Sequence, residues 1–190
     1  AARPFRLMDE FSENIYYHEV SSMEYPVLGD NLYTLSLATK IAQVALDERL
    51  DVIHVHYAVP HAICAMLAME MLSAVGRHIP VVTTLHGTDV TLVGRAPGFA
   101  PAVRLGIQRS DAVVAVSRWL RDETLATLRL PNNIQVIYNF VDGRVFRPGP
   151  TSVPRRRFVR DDERIVMHVS NFRPVKRVQD VVEAFALIAR

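Results

Sequence analysis

The sequence predicts an α/β protein built on a parallel sheet, and three features predict it. Short runs of β-branched and apolar residues alternate with helical patterns at short spacing, which favours right-handed crossovers between parallel strands. The strand runs are apolar without interruption, as expected where both faces of a sheet are covered. One of them, Val81 to Leu85, ends abruptly in His86-Gly87-Thr88-Asp89. Open α/β sheets build their sites in this way, with polar side chains just past the carboxyl end of a rigid strand.

Taken in order, Ile15 to Val20 reads as a strand. Asp30 or Asn31 can cap a helix running to about Arg49, with Leu32, Leu35, Ala38, Ile41, Ala42 and Ala45 on one face. Asp51 to His56 is a second strand. Pro60 suits the first turn of a helix, where its missing N–H costs little, and the helix from His61 to about Val75 is apolar nearly all round and should be deeply buried. After the strand at Val81, a Gly- and Pro-containing loop leads to a helix over Ala102 to Arg109, then a strand over Asp111 to Val116. Ser117 is a good N-cap for a helix over Arg118 to Leu128, and Ile134 to Tyr138 is a further strand.

The character changes after Asn139. Gly143, Pro148, Gly149, Pro150 and Pro154, followed by Arg155-Arg156-Arg157, read as a linker. Arg164 to Ser170 starts a new strand, and a basic turn leads into a final helix from Val178. One βα unit cannot bury a core alone. The expected organisation is therefore a first α/β domain over 1–142, a linker over 143–160, and the opening of a second α/β domain over 161–190. The chain does not begin with Met, and its final helical pattern stops without a cap, so a fragment of a longer protein is expected.

Composition narrows the function classes. The 190 residues are 49% hydrophobic and 22% charged with a formal net charge of +2, so no charge surplus argues for nucleic acid or a membrane surface. The single cysteine, Cys64, excludes an internal disulfide and fits a reducing, cytoplasmic setting. The longest apolar stretch, Ala62 to Val75, is broken by Glu70 and Ser73 and reads as a buried helix rather than a membrane span. The first residues lack the pattern of a signal peptide.

Two stretches carry the chemistry. Around the first, Thr84, His86 and Asp89 supply a hydroxyl, an imidazole and a carboxylate, and Gly87 permits positive φ or close approach of a ligand. A turn with a hydrogen-bonded histidine is the plainer alternative. His54 and His56 point to one side of a strand, and His54 reads as a hydrogen-bonded core residue. His56 and Tyr57, at the strand's carboxyl end, can reach the crevice beside His86. Zinc would need three or four convergent ligands, and His61 and Cys64 are the remaining candidates. Ser117 caps a helix, and the same helix N-terminus could hold an anion. Asn139 and Asp142 suit a turn. The second stretch, Ser170 to Arg177, places Asn171 and the cations Arg173, Lys176 and Arg177 between a strand and a helix, where a diphosphate can be held; a solvated basic turn is the alternative. No Walker loop, GxGxxG or GxSxG elbow is present, so covalent hydrolase chemistry lacks its usual signatures.

The segments HVHYAVPHA, TTLHGTD, SDAVVAVS, VIYNFVD and HVSNFRPVKRVQD, in this order and over essentially the whole chain, resemble the family 4 retaining glycosyltransferases of the GT-B fold. The resemblance implies two Rossmann-like domains, the first incomplete here and the second represented by its first βα unit. It is strongest to members that transfer N-acetylglucosamine from UDP-N-acetylglucosamine to the hydroxyl of L-malate, the first step of bacillithiol biosynthesis. By resemblance, Tyr57 and Thr84 match positions that hold the acceptor. His86 matches the catalytic cleft histidine, and Arg173 and Lys176 match the cations that neutralise the diphosphate, with Asn171 and Arg177 beside them. Ser117, Asp89 and Asn139 are further candidates. The resemblance implies small-molecule substrates, no metal or other cofactor, no nucleic acid and no integral membrane segment, and it allows a homo-oligomer. Most family members carry a glycine-arginine pair where this chain has Ser170-Asn171, and the arginine comes later, at Arg173. An acceptor such as a lipid or polysaccharide, or a non-catalytic sugar-nucleotide-binding role, are the competing expectations.

Overall fold

The computed structural model describes residues 14–22, 24–25, 30–131, 133–147, 155–160 and 162–188. The first residues and the Pro148 to Pro154 part of the predicted linker lie outside them. The chain divides into two compact units, Ala1–Phe140 and Val141–Arg190.

The first unit opens with a minimal antiparallel pair, β1 (Glu24–Tyr25) and β2 (Asp30–Asn31), followed by α1 (Tyr33–Asp47). The predicted cap is therefore corrected. Asp30 and Asn31 are spent in the strand pair, and α1 starts after Leu32 without a side-chain cap. Of the predicted apolar face, Ala38, Ala42 and Ala45 are buried, whereas Leu35 is exposed. Alanines at this seam let α1 approach the next long helix closely.

Four parallel strands then alternate with helices. They are β3 (Ile53–His56), β4 (Val81–Leu85), β5 (Ala112–Ala115) and β6 (Ile134–Val136), in the spatial order β3-β4-β5-β6. The crossovers are α2 (Ile63–Ser73), α3 (Ala100–Gln108) and α4 (Arg118–Leu128). The inner strand β4 is covered nearly throughout, while β3 buries Ile53 and Val55 and turns His54 and His56 outward. One core cluster joins α1, α2 and β3 around Leu72 and Ile79, and a second joins α3, α4, β5 and β6 around Leu85, Val103 and Leu128. Leu72 and Leu128 are almost wholly buried, and removing either side chain to Cβ would cost about 2–5 kcal/mol.

Between β3 and α2 the chain does not enter an α-helix at His61 as Pro60 suggested. Ala58–Ala62 forms a wide π-type turn with Val59 outside helical geometry. Gly106 on α3 packs against this turn. A Cβ there would lie 3.0 Å from the Ala58 carbonyl oxygen and 3.2 Å from the Ala62 Cβ, so the missing side chain is what lets α3 support the turn.

Two predicted strands are not formed. Ile15 to Val20 is irregular, because no neighbouring strand among the described residues supplies a hydrogen-bonding edge. His18 and Val20 instead line a cleft of about 480 Å³ with Leu37, Ile41, Ile53 and Val55. Arg164 to Ser170 is likewise irregular and mostly exposed, for the same reason, although α5 (Val178–Ile188) follows as the helical pattern requires. Among the described residues no helix is long and apolar enough to cross a membrane.

Candidate active site

The carboxyl ends of β3 and β4 meet in register, His56 opposite Thr84. The ladder continues one residue further, where the Tyr57 N–H donates to the Thr84 carbonyl at 2.8 Å. Tyr57 then adopts φ +76° and ψ 135°, backbone that side-chain-bearing residues rarely occupy and that costs on the order of 1–3 kcal/mol. It is over-determined by its neighbours. The Ala62 N–H donates to the Tyr57 carbonyl, and the next N–H, that of Ala58, donates to the Asp89 carboxylate at 3.1 Å.

Asp89 ties this edge together. Its side chain is almost wholly buried, with Oδ2 accepting from Ala58 and Oδ1 accepting from the N–H groups of Gly87, at 2.9 Å, and His86, at 3.3 Å. One carboxylate thus holds the loop after β3 and the loop after β4. Gly87 sits at φ +115° with open space where a Cβ would be, which meets the sequence expectation for this glycine. Its carbonyl accepts from the Thr91 hydroxyl and the Val90 and Thr91 N–H groups.

The imidazoles form a chain across the edge. His54 Nε2 lies 2.8 Å from the Thr84 hydroxyl oxygen, and His56 Nδ1 lies 2.8 Å from His86 Nε2. His54 is therefore hydrogen-bonded as expected but exposed rather than part of the core. The Tyr57 ring leans on His86, centroids 4.8 Å apart, and His61 Nδ1 donates to the His56 carbonyl. Partial burial lowers the pKa of both His56 and His86. The charges of His54 and His61 act further on His56, and that of His56 on His86, whose shift Asp89 opposes. A histidine depressed in the folded state favours the neutral form. The stabilisation it gives is present above the ordinary value of 6.5 and is lost as pH falls through the depressed values.

Parallel register carries β5 and β6 to the same edge, Leu85 opposite Ala115 and Ala115 opposite Val136. Ser117 follows β5 and caps α4, its Oγ accepting the Leu120 N–H at 3.1 Å. Asn139 lies beyond β6 and is exposed; Asp142 pairs with Arg144. Cys64 is fully buried in α2 and burial pushes its thiol up, which disarms it as a nucleophile. Among the described residues no three His, Cys, Asp or Glu side chains converge as a metal-binding set.

The second unit holds the basic turn. Ser170 Oγ accepts the Phe172 N–H at 3.2 Å, and His168 Nε2 lies 2.9 Å from the same oxygen. Arg173 precedes a single 3-10 turn, Pro174–Lys176, and Arg177 reverses the chain at φ +48° into α5. Arg177 pairs with Asp180 in the first turn of α5, whereas Arg173 and Lys176 have no carboxylate partner among the described residues. Asn171 is exposed beside them. Two cations ahead of a helix N-terminus make a place suited to an anion.

Tyr57, Thr84, His86 and Asp89 are thus gathered at one edge, with Ser117 brought there by register, and Asn171, Arg173, Lys176 and Arg177 share one turn. The sequence placed His56 beside His86, and the structure hydrogen-bonds the two rings; what it missed is that His54, read as a core residue, serves the same edge through Thr84. The available signal was the alternation that puts His54 and His56 on one side of β3, beside the polar Thr84 of the next strand.

A Rossmann-like parallel sheet with polar groups collected at its carboxyl edge fits the GT-B architecture, and the chain belongs to glycosyltransferase family 4, whose model matches residues 3–144. Over 186 residues, 97% of the chain, it is 49% identical to N-acetyl-alpha-D-glucosaminyl L-malate synthase of Bacillus anthracis, covering 48% of that protein. Over 98 residues, 52% of the chain, it is 30% identical to an uncharacterized glycosyltransferase of Methanocaldococcus jannaschii, covering 26% of that protein. The chain therefore spans about half the length of the first relative and about a quarter of the second.

Proposed function

We propose that this chain belongs to a cytoplasmic enzyme that transfers N-acetylglucosamine from UDP-N-acetylglucosamine to the hydroxyl of L-malate with retention of configuration, at the first step of bacillithiol biosynthesis. The observation that carries the reading is the 49% identity, sustained over 97% of the chain, to a protein named for that synthesis. The geometry supports it. With His54 Nε2–H donating to Thr84 Oγ1, the threonine hydroxyl hydrogen is left for an acceptor carboxylate, and the Tyr57 hydroxyl is a second donor. His86 serves the donor sugar. Asp89 acts through the backbone it holds, Ser117 and Asn139 lie further along the same sheet edge, and an acidic acceptor suits the two hydroxyl donors of Thr84 and Tyr57.

The reaction breaks the bond between the anomeric carbon and the diphosphate oxygen and forms one to the malate oxygen on the same face. The departing diphosphate takes the hydroxyl proton. No protein nucleophile is required, unlike the carboxylate pair of most glycosidases. Arg173 and Lys176 meet the negative charge that develops on the diphosphate, with Asn171 and Arg177 beside them, so no metal is needed for that task. The substrates are small molecules, and neither nucleic acid nor a membrane is called for. The test is UDP release by the full-length enzyme from UDP-N-acetylglucosamine, with and without L-malate. Release that depends on malate supports the reading; release indifferent to malate, or dependent on another acceptor, overturns it. The 190 residues alone are expected to be inactive in the same assay.

A further inference from the structure

His56 is assigned no substrate above, yet it is the side chain bonded to the His86 ring. The two leave adjacent parallel strands at their carboxyl ends, with His56 Nδ1 2.8 Å from His86 Nε2. Two neutral imidazoles at that distance share one proton, so one ring donates and the other accepts. Free neutral imidazole of histidine prefers its proton on Nε2. If both rings keep that form, His86 Nε2–H donates and the bare His56 Nδ1 accepts. The reverse direction would force both rings into the less stable Nδ1–H form.

The surroundings favour a neutral pair. The His54 ring is tilted against that of His56 with centroids 4.7 Å apart, His61 donates to the His56 backbone carbonyl, and Tyr57 lies against His86. The nearest carboxylate, Asp89, is engaged by backbone N–H groups, including that of His86 itself, rather than by either ring. Among the described residues no carboxylate therefore hydrogen-bonds either ring, and the pull of the Asp89 charge on His86 is outweighed by burial and by His56. A second proton on His56 Nδ1 would leave the His86 N–H without its acceptor.

We propose that His56 is a positioning residue for His86. It accepts the His86 Nε2–H, fixes that tautomer, and leaves the His86 Nδ1 lone pair to accept a hydrogen bond from a substrate hydroxyl. This rests on the assignment of His86 to the donor sugar. Partial burial, with the charges of His54 and His61 acting on His56 and that of His56 acting on His86, lowers both rings below 6.5 and supports it by favouring the neutral pair.

The experiment uses the full-length enzyme, its His56→Leu and His56→Asn variants, pH–rate profiles with UDP-N-acetylglucosamine and L-malate, and nitrogen NMR of the imidazoles. At neutral pH, His86 of the unsubstituted enzyme reads as the Nε2–H tautomer. His56→Leu lowers kcat by roughly tenfold, the net worth of one hydrogen bond, with a smaller change in KM for malate. His56→Asn, whose amide oxygen can accept the same proton, recovers most of that loss. In both variants the acid limb of kcat/KM moves up towards 6.5, since the His56 charge no longer opposes protonation of His86. An Nδ1–H tautomer for His86, or a His56→Leu variant that keeps both kcat and the acid limb, would overturn the proposal. The NMR readout needs no turnover, so an error in the substrate assignment and an error in the tautomer are told apart.

Discussion

The turn around His86 and the turn around Lys176 both present polar residues ahead of a helical turn, yet they are built in opposite ways. The first is fastened from inside. A buried carboxylate binds three backbone N–H groups, a strained Tyr57 is pinned on both sides, and every imidazole has a partner. Among the described residues the second is fastened only by local bonds, from Ser170 and a single 3-10 turn, and its long cationic side chains stand exposed. The difference follows from what each is proposed to recognise. Hydroxyls and carboxylates of a small acceptor are read by directional hydrogen bonds, which fail steeply when misaligned. A diphosphate is met largely by charge, which falls off slowly with distance and tolerates long side chains.

The comparison can be broken most sharply at the basic turn. Replacing both Arg173 and Lys176 by Ala should lower kcat by on the order of a hundredfold to a thousandfold, while the melting temperature stays near that of the unsubstituted enzyme, because exposed positions contribute little to stability. A large loss of stability instead would mean that the turn is part of the structural frame. The converse holds at Asp89. Asp89→Ala orphans the N–H groups of Ala58 and Gly87, each worth about 1–3 kcal/mol, so denaturant melts should show a marked loss of stability together with lost activity. Asp89→Asn should recover part of it through its amide oxygen. Smallest is Ser117→Ala, expected to cost about 1 kcal/mol through loss of the α4 cap.

These two regions were also unequally legible in the sequence. Val81–Leu85, Arg118–Leu128 and the Ser117 cap follow from apolar periodicity and capping chemistry, which are local, and the structure keeps them residue for residue. The strand expected at Ile15 to Val20 failed because a strand is defined by its neighbour, which a periodic pattern does not supply. The Asp30 or Asn31 cap failed because both residues pair with Tyr25 and Glu24 in a short antiparallel ladder, a contact that local capping chemistry does not reveal. Asp89 looked like a group facing ligand, and its carboxylate is in fact engaged by backbone from two loops thirty-odd residues apart, a contact that only the parallel register of β3 and β4 creates. The pairing of His56 with His86 has the same origin.

The most direct test of this division is binding and kinetics on one set of variants of the full-length enzyme: UDP affinity by calorimetry and KM for L-malate, for Arg173→Ala/Lys176→Ala and for Tyr57→Phe. The account predicts that the first weakens UDP by about tenfold or more and leaves malate nearly unchanged, and that Tyr57→Phe does the reverse. Equal losses of both ligands in both variants, or UDP binding untouched by removal of the two cations, would contradict it.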